Sequence, residues 1–423
     1  MGRYARDRRP PDLKPVERVA VTEEHFGRRM VLFLLCLVIG VSGLSYGVYS
    51  LLSTDPGWVV VEVSSGETNC GGEFTFEYLL DQGGLAGSEV VRKVRAVYSD
   101  AAVKAYRLFT TAESFEDLHN LRYINEHPNQ DIVVDPVLYQ AFETVQKQES
   151  RTVYQGILNS FYQDLFFCQE DWETFDFDPI QNPEAAELYR ELASFAADPA
   201  HAQVQLLGEN TLRLNLSEEY RQYAGELGRD CYLDFGWLRN AFAADFLAET
   251  LLDQGYTTGV LTSYDGYTRS LGGAVGNYGY NLFDWYEGRA VKAVRILFDE
   301  PMSLVNFRTF PLQEEDEGRT YVMANGELRH GYLDASDGLC RAAMNAMLIY
   351  SQESGCAEIA LKAAPVFIAD DLDQQGLRIL QQDGMEIVAV TDGVILHSQK
   401  DLALDELYTG ETGSAYREES WEK

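Results

Sequence analysis

The sequence predicts a mixed α/β (α+β) fold, preceded by one apolar segment long enough to cross a membrane. Met30–Leu52 is a run of 23 residues without a charged side chain, which suffices to span a hydrocarbon core of roughly 30 Å. In Tyr232–Gly273, apolar residues recur at helical spacing between β-rich runs. The chain has 423 residues, of which 46% are hydrophobic, so the part beyond Leu52 can bury a large core.

Tyr232–Gly273 is predicted to form a β-α-β unit. We expect a short strand at Tyr232–Phe235, a helix, a strand from Thr257 to Tyr264, and a further strand after a turn at Asp265-Gly266. Gly255 is placed to end the helix in a left-handed conformation. The face of the helix that the spacing predicts to be buried carries Leu238, Phe242, Phe246, Leu247 and Leu251.

The N-terminal residues predict a basic arm over residues 1–29 and a transmembrane helix over residues 30–52. Arg28 and Arg29 directly precede the apolar run, a bias that keeps this end in the cytoplasm. A cleaved signal peptide is the alternative, but the run is longer than the roughly 7–15 apolar residues of such signals. We therefore expect a single-pass cell-membrane protein with an extracytoplasmic domain at residues 53–400 and an acidic tail at residues 401–423.

Charge and cysteine content limit the partners. The net charge is −33, and the arm contributes +3 through eight basic and five acidic residues, so the rest of the chain carries −36. Such an acidic surface repels phosphates, which excludes nucleic acid as a partner. Beyond the apolar segment the cysteine count is odd and no CxxC pair occurs. Buried free thiols and a Cys340–Cys356 disulfide both remain open.

Tyr232–Gly273 resembles the central signature of the ApbE family, the FAD:protein FMN transferases. That signature reads Asp-x-Gly-x-x-x-Lys-Gly-x-x-x-Asp, and a later strand ends in Asn-x-Gly-Gly-Asp-x-Arg-x-x-Gly. The residues at corresponding positions are Asp234, Gly236, Asp245, Ser263, Gly266, Arg269 and Gly272. The departures are Asn240-Ala241 for the Lys-Gly pair, Asp265 for the first Gly of the Gly-Gly pair, and Tyr267 for the Asp that follows it.

Two further segments resemble the same family. Cys70–Phe76 is similar to its Met-Gly-Thr entry strand, which lies against the flavin, so the resemblance places Gly71 and Gly72 at the flavin. Asn325–Gly338 is similar to Gly-Lys-x-x-His-(His)-Ile-Ile-Asp-Pro-x-Thr-Gly. In this segment His330, Asp334 and Gly338 match. Gly276–Arg289 is predicted to be a loop rich in glycine and aromatic residues.

The family's magnesium site has two alternative locations in this sequence. The family binds Mg²⁺ through an Asp and a Thr four residues later, in Ala-Asp-Ala-Leu-x-Thr-Ala at a helix start, a spacing that puts both ligands on one helical face. An alignment on Cys340–Ser351 replaces the ligands by Arg341 and Asn345. An alignment on Ala357–Asp371 keeps Asp370 and puts Gln374 in place of the Thr.

The resemblance implies a two-lobed α/β flavin transferase fold with a cleft, over residues 65–398. It implies catalytic roles for Asn240, His330 and Asp334, and FAD contacts by Gly71, Gly72, Asp234, Asp265 and Gly266. Asp370 is the implied Mg²⁺ ligand, and an acceptor protein in the envelope is the implied partner.

The family's reaction moves FMN from FAD to a Ser or Thr of that partner. Losing one electrostatic group commonly costs on the order of 10²–10³ in rate, and several differ here. Three hypotheses follow: a divergent flavin transferase, a flavin-binding protein without catalysis, and an envelope scaffold.

Overall fold

Strands and helices alternate along the chain in the structure, which is a computed structural model. It describes residues 30–42, 54–63, 73–272, 278–313, 316, 318–391, 393–398, 404–407 and 416–420. Gly71 and Gly72, the glycines expected at the flavin, therefore lie outside the described residues, as does the predicted arm at residues 1–29.

The described helices begin and end at residues that the local sequence explains. In chain order they are residues 30–42 (α1), Gly84–Phe109 (α2), Leu121–Glu126 (α3), Pro136–Lys147 (α4), Gly156–Tyr162 (α5), Asp171–Thr174 (α6), Pro183–Ala197 (α7), Glu218–Glu226 (α8), Arg239–Asp253 (α9), Cys356–Phe367 (α10) and Gln374–Gln382 (α11). The Asn182 side chain accepts from the Glu184 N–H, with Pro183 at the first turn of α7. Gly255 has φ +83° just after α9, which confirms the predicted left-handed end.

The described strands fall into four sheets. In chain order they are Gly57–Val61 (β1), Phe74–Leu80 (β2), Ile132–Val133 (β3), Ala202–Gly208 (β4), Thr211–Leu216 (β5), Gly259–Ser263 (β6), Tyr267–Ser270 (β7), Tyr278–Tyr286 (β8), Arg289–Phe298 (β9), Ser303–Arg308 (β10), Thr320–Val322 (β11), Leu328–His330 (β12), Ala346–Ser351 (β13), Glu386–Thr391 (β14), Val394–His397 (β15), Leu404–Leu407 (β16) and Arg417–Ser420 (β17). The largest sheet has the order β1-β2-β6-β7-β10-β13-β14-β15-β17. The smaller sheets are β16-β9-β8, β3-β5-β4 and the hairpin β11-β12.

The centre of the large sheet is covered on both faces. Alternate residues of β10, β13 and β14 belong to two different hydrophobic clusters. Val305 and Ile349 pack with helices α9 and α10 on one face, while Leu304 and Leu348 pack with β8 and β9 on the other. All six residues of β10 and of β13 are buried. Each fully buried Leu, Ile or Val side chain contributes roughly 1.5–3 kcal/mol, so these strands hold the layers together.

Three segments differ from the sequence expectation. Tyr232–Phe235 forms no strand: the Asn125 side chain accepts from the N–H groups of Tyr232 and Leu233 at 2.9 and 2.8 Å, and Phe235 has helical backbone angles. The predicted aromatic loop is mostly strand β8, which pairs along its length with β9. The C-terminal tail contributes β16 and β17, which pair with β9 and β15. A side-chain contact holds Tyr232–Phe235, a two-residue turn pairs β8 with the next strand β9, and backbone pairing places β16 and β17. Apolar periodicity reports none of these interactions.

The predicted membrane segment is described only in part. Helix α1 covers residues 30–42, and residues 43–52 lie outside the described residues. Within the part of the chain that the structure describes, no helix has the length and apolarity needed to span a bilayer. The chain divides into two compact units, Met1–Thr54 and Asp55–Lys423, and the lobes expected from the sequence lie within the second.

The structure decides between free thiols and a Cys340–Cys356 disulfide. Cys340 and Cys356 are both buried and both free, so they form no disulfide. The Cys356 thiol lies 3.4 Å from the Thr268 carbonyl oxygen and 3.6 Å from that of Leu304. Burial raises the pKa of both thiols. They pack as small buried side chains, in agreement with the free-thiol alternative.

Candidate functional site

A cavity of about 440 Å³ opens where the start of α9, the β6–β7 turn and the β11–β12 hairpin meet. Its volume lies within the roughly 300–1,000 Å³ of small-molecule sites. The aromatic residues along its wall are Tyr106, Phe109, Tyr162, Phe166, Trp237, Phe310 and Tyr332. Its charged residues are Asp234, Arg239, Asp265, Arg308, Asp316 and Arg319. The cavity thus combines flat apolar walls with three guanidinium groups.

The turn before α9 shapes one wall. Gly236 has φ +51°, and a Cβ there would lie 3.2 Å from the Asn159 amide nitrogen. The Asp234 carboxylate accepts from the Gly236 N–H at 2.9 Å and fixes this left-handed turn. Burial raises the pKa of the Asp234 carboxyl, although the Gly236 N–H and Arg239 act in the opposite direction. The Tyr267 hydroxyl donates to the Trp237 carbonyl at 2.9 Å, so the residue that departs from the family pattern at position 267 holds the turn against β7.

Asn240 and Asp265, the two central departures from the ApbE pattern, are in contact. Asn240 Nδ2 donates to Asp265 Oδ1 at 3.1 Å, and both side chains are buried. The other Asp265 oxygen forms an ion pair with Arg319, whose Nη2 also donates to the Tyr264 hydroxyl at 2.8 Å. Burial alone would raise the pKa of the Asp265 carboxyl, but Arg319, Ser263 and Asn240 outweigh it and hold that pKa below its usual value.

Two more arginines line the cavity, and each forms an ion pair with a carboxylate. Arg308 Nη2 donates to both Asp316 oxygens, at 2.7 and 2.9 Å, in a pair that is almost fully buried. Arg239 forms an ion pair with Glu73. Burial raises the pKa of the Glu73 carboxyl, a shift that Arg239 and Arg319 reduce. Arg239 and Arg319 keep 31% and 26% of their side-chain surface exposed, so both can reach a ligand.

His330 lines the cavity at the end of β12. Its ring Nδ1 accepts from the Tyr332 backbone N–H at 3.3 Å, and the His330 backbone N–H donates to the Cys340 sulfur at 3.4 Å. Burial, with a smaller contribution from Arg329, lowers the pKa of His330 to about 3. The imidazole is therefore neutral near pH 7, and it can accept or donate a hydrogen bond but brings no charge.

Asp334 and Asp370 lie away from this cavity. Asp334 Oδ1 accepts from the Ser336 N–H and hydroxyl at 2.8 and 2.6 Å, and its Oδ2 lies 3.3 Å from Arg341. Arg341 also pairs with Asp337 and, at 3.5 Å, with Asp370, whose side chain is 78% exposed. Neither carboxylate is among the residues that line the cavity. Asp334 fixes a surface turn, and Asp370 balances the same arginine.

Neither alignment proposed for the magnesium site agrees with the secondary structure. Residues 341–345 precede strand β13 and are not a helix start, while Ala357–Phe367 is helix and not a strand. Asn345 donates to Asp284 at 2.8 Å, and Asp370 pairs with Arg341. Among the described residues, no three His, Cys, Asp or Glu side chains gather as a metal-ligand group. The residues present do not fit the family's Mg²⁺ site.

The helix start that follows β13 is occupied by protein groups. Both oxygens of Asp245 accept from the first N–H groups of α10, those of Cys356 and Ala357, at 2.8 and 2.9 Å. Arg269 pairs with the same carboxylate. Two residues that match the ApbE signature, Asp245 and Arg269, therefore cap a helix and neutralise the cap.

A second cavity of about 300 Å³ lies beside the first and shares Arg308 with it. Gly266 lines the second cavity and has φ +105°, with the Asn306 carbonyl oxygen 2.4 Å from where a Cβ would stand. The close approach requires glycine, in agreement with its match to the family pattern. Tyr280 and Phe283 of strand β8 also line this cavity.

The structure brings Asn240, Asp265, Asp234 and His330 together, and it adds residues that the sequence did not single out. These are Arg239, Arg308, Asp316 and Arg319. Arg239 directly precedes Asn240, the position that replaces the family's lysine, and a basic neighbour there was a usable signal. Arg308, Asp316 and Arg319 lie in a stretch with no recognisable motif. Strand β10, which pairs with β7, carries Arg308 to the site, and ion pairs with Arg308 and Asp265 hold Asp316 and Arg319 there.

Solved structures of flavin transferases share this fold. The ApbE protein of Thermotoga maritima superposes with a TM-score of 0.53 at 13% identity, covering 84% of this chain and 99% of that one. The fold is ApbE-like. The flavin transferase ApbE of Vibrio cholerae gives 0.51 at 11% identity, with 79% and 94% covered. The flavinyl transferase ApbE of Pseudomonas stutzeri, in its apo form, gives 0.50 at 11% identity, with 82% and 96% covered.

Sequence comparison adds no closer relationship. No protein-family profile matches the chain, and no curated protein sequence matches it. The ApbE-like architecture is therefore preserved at identities of 11–13%. At such identities a shared fold does not carry the activity with it.

Proposed function

We propose that this protein binds a flavin nucleotide in the 440 Å³ cavity without a bound magnesium ion. The flavin ring would lie against the aromatic wall, and the phosphate would face Arg239 and Arg319. The observation that carries the proposal is the position of Arg319. It brings a partly exposed guanidinium to a cavity with an aromatic wall, and its partner Asp265 is bonded to Asn240, the position where the family has a lysine.

The aromatic wall is suited to a flat, largely apolar ring. Trp237 and Tyr332 contact each other with ring centroids 5.4 Å apart, and both contact Phe307 behind the wall. A rigid aromatic surface of this kind supports stacking at low conformational cost. When bound, a flavin supplies one- and two-electron transfer at its ring.

The guanidinium groups are suited to phosphate. Arg319 uses its Nη1 for Asp265 and its Nη2 for Tyr264, and a guanidinium has further N–H donors beyond these two bonds. The ion pair with Asp265 holds the side chain in place before the ligand arrives. Arginine binds phosphate through paired N–H groups, so a metal ion is not needed to offset the phosphate charge.

FMN transfer from FAD to a partner protein is the second candidate. It is supported by the fold shared with proteins named as flavin transferases and by the placement of Arg319, Asp265 and neutral His330 on one cavity, with buried Asn240 bonded to Asp265. In this reading arginine, rather than a metal ion, offsets the charge that develops on the phosphate in phosphoryl transfer. The acceptor would be a Ser or Thr of an envelope protein.

Fluorescence titration of FAD, FMN and riboflavin with the full-length chain in detergent tests the first candidate. We expect saturable binding of FAD and FMN, weaker binding of riboflavin, and the same affinities in EDTA and in millimolar Mg²⁺. No binding at high micromolar protein would refute both flavin readings. Release of AMP on addition of FAD and an acceptor would favour the transferase over the non-catalytic reading.

We also propose that residues 30–52 anchor the chain in the cell membrane, with residues 53–423 outside the cytoplasm. The support is the run of 23 uncharged residues preceded by Arg28 and Arg29. Alkaline extraction of membranes should leave the full-length chain in the pellet. Replacing Leu35 and Val38 with Arg should release it, and equal pelleting of both chains would contradict an anchor.

A further inference from the structure

Residues 163–181, here called the acidic aromatic segment, expose large apolar side chains beside the flavin cavity. The exposed side chains are Phe167 (67% exposed), Trp172 (75%), Phe175 (46%) and Ile180 (53%). Four large apolar side chains exposed within 14 residues of sequence indicate a surface that a partner could cover. Trp and Phe are also enriched among the residues that carry binding energy at interfaces.

The segment is held in place although it contains little regular structure. Leu165 and Thr174 are fully buried beneath it, and the Asp178 carboxylate pairs with Arg329 at 2.9 Å with both groups buried. The Asp171 carboxylate accepts from the Ala324 N–H at 3.0 Å, and Gln181 Nε2 lies 3.6 Å from the Met323 sulfur. The exposed rings are therefore presented by a fixed backbone, which reduces the entropy lost on binding.

The acidic aromatic segment carries only negative charges. No Lys or Arg occurs between Arg151 and Arg190, a stretch that holds eight acidic residues. Arg229 and Arg329 balance Asp164 and Asp178. No salt bridge between described residues involves the remaining acids of the segment, Glu170, Asp171, Glu173 and Asp176. This surface favours a basic partner and repels an anionic membrane.

The surface is connected to the cavity wall. Phe166 and Gln163 line the cavity at the start of the segment. The segment also packs on hairpin β11-β12, which carries Thr320 and His330 into the cavity. Val322, on the same hairpin, is 41% exposed. A chain bound to the segment would lie next to the bound flavin.

We propose that the acidic aromatic segment is the docking surface for a protein partner that presents a basic segment with apolar side chains. Trp172 and Phe175, three residues apart across the end of α6, insert between the partner's apolar side chains. Glu170 and Asp176 face its lysines and arginines. Only the statement that the partner lies beside a flavin rests on the proposed function, and docking is measured without flavin.

The test uses fluorescence anisotropy with the full-length chain in phosphatidylcholine nanodiscs. The probe is a short labelled peptide with Lys on one helical face and Leu and Phe on the other, and a version with Glu for Lys is its control. We expect saturable binding of the Lys peptide and no binding of the Glu peptide. Trp172→Ala/Phe175→Ala should weaken it about tenfold or more, while Ile379→Ala, at an exposed apolar side chain on α11, should leave it unchanged.

A second variant makes the test independent of the aromatic pair. Asp176→Lys, at an exposed position, should weaken the Lys peptide severalfold, with the larger effect at low salt. Equal affinity in the wild type and both variants would overturn the proposal. Binding of the chain to phosphatidylglycerol vesicles that Trp172→Ala/Phe175→Ala abolishes would overturn it in favour of a membrane contact. Flavin binding is measured in a separate titration. Absence of flavin binding, with peptide binding intact, would refute only the proposed function.

Discussion

Asn240 donates a hydrogen bond to Asp265, from Nδ2 to Oδ1 across 3.1 Å, and so joins the two positions that depart most from the ApbE pattern. Asp265 in turn pairs with Arg319. Where the ApbE pattern has a lysine and a glycine, this chain has Asn240 and Asp265, and Arg319 from another part of the sequence pairs with Asp265. The departures therefore form one connected unit that still places a cation at the cavity.

Asp265→Asn should destabilise the protein by about 2–3 kcal/mol. The substitution leaves Arg319 without its charged partner, and removing one member of a buried pair costs roughly 3–5 kcal/mol, reduced here because Arg319 is 26% exposed. Urea denaturation measures the change. Asp131→Asn, in the exposed pair with Arg213, is the control and should cost less than about 1 kcal/mol. Equal costs for the two variants would show that Asp265 and Arg319 are not coupled.

Gly266→Ala should cost more than Gly288→Ala. Both glycines have positive φ, +105° and +78°, but only Gly266 has an atom within 4 Å of the would-be Cβ, the Asn306 carbonyl oxygen at 2.4 Å. Gly288→Ala should lose about 1–2 kcal/mol from the backbone conformation alone, and Gly266→Ala at least about 2 kcal/mol more. Thermal unfolding compares them, and similar melting temperatures would mean that the β6–β7 turn yields easily.

His330 should make the protein less stable as the pH falls below about 6.5. The unfolded histidine takes up a proton near that pH, whereas the folded imidazole, with a pKa of about 3, stays neutral. Its contribution is thus complete above pH 6.5 and declines as the pH falls toward 3. Between pH 7 and pH 5 this amounts to about 2 kcal/mol.

His330→Asn removes this contribution. The difference in unfolding free energy between pH 7 and pH 5 should therefore be about 2 kcal/mol smaller in the variant than in the wild type. His119→Asn, at an exposed position, should leave that difference unchanged. If His330→Asn leaves the difference in unfolding free energy between pH 7 and pH 5 unchanged, the folded imidazole takes up a proton as readily as the unfolded one. That result would contradict the lowered pKa of His330.

Magnesium should have no effect on flavin affinity. Asp370 is exposed and paired with Arg341, and Asp245 is bonded to the α10 N-terminus and to Arg269. Calorimetric titration of Mg²⁺ into the chain saturated with FAD should give no binding heat, and Asp370→Ala should leave FAD affinity within about twofold. A stoichiometric Mg²⁺ heat that Asp370→Ala removes would restore the metal site expected from the sequence.

Local sequence signals predicted the elements with strong caps and turns. Gly255, predicted to end the helix, lies just after α9 with a positive φ, and the cap of α7 at Asn182-Pro183 is an equally local signal. These succeed because a cap or a positive φ depends on a few neighbouring residues. The membrane anchor, by contrast, stays a prediction.

Non-local pairing accounts for what the sequence did not predict. Strand β16 pairs with β9, and Tyr232–Phe235 is held by Asn125, each across more than 100 residues of sequence. The same holds at the site. Motif positions indicated Asn240, Asp265 and His330, but Arg308 and Arg319 carry no local signature. The sheet order brings Arg308 to the cavity, and the ion pair with Asp265 holds Arg319 there.

The ratio of FAD to riboflavin affinity in Arg319→Gln tests whether Arg319 binds the phosphate of a flavin nucleotide. Riboflavin has the ring without the phosphate, so it reports whether the aromatic wall survives the substitution. We predict that Arg319→Gln weakens FAD binding about tenfold or more and leaves riboflavin affinity within about twofold. Arg221→Gln, at a surface arginine of α8, should change neither affinity. Equal loss of both ligands, or no loss of FAD, would contradict a phosphate role for Arg319.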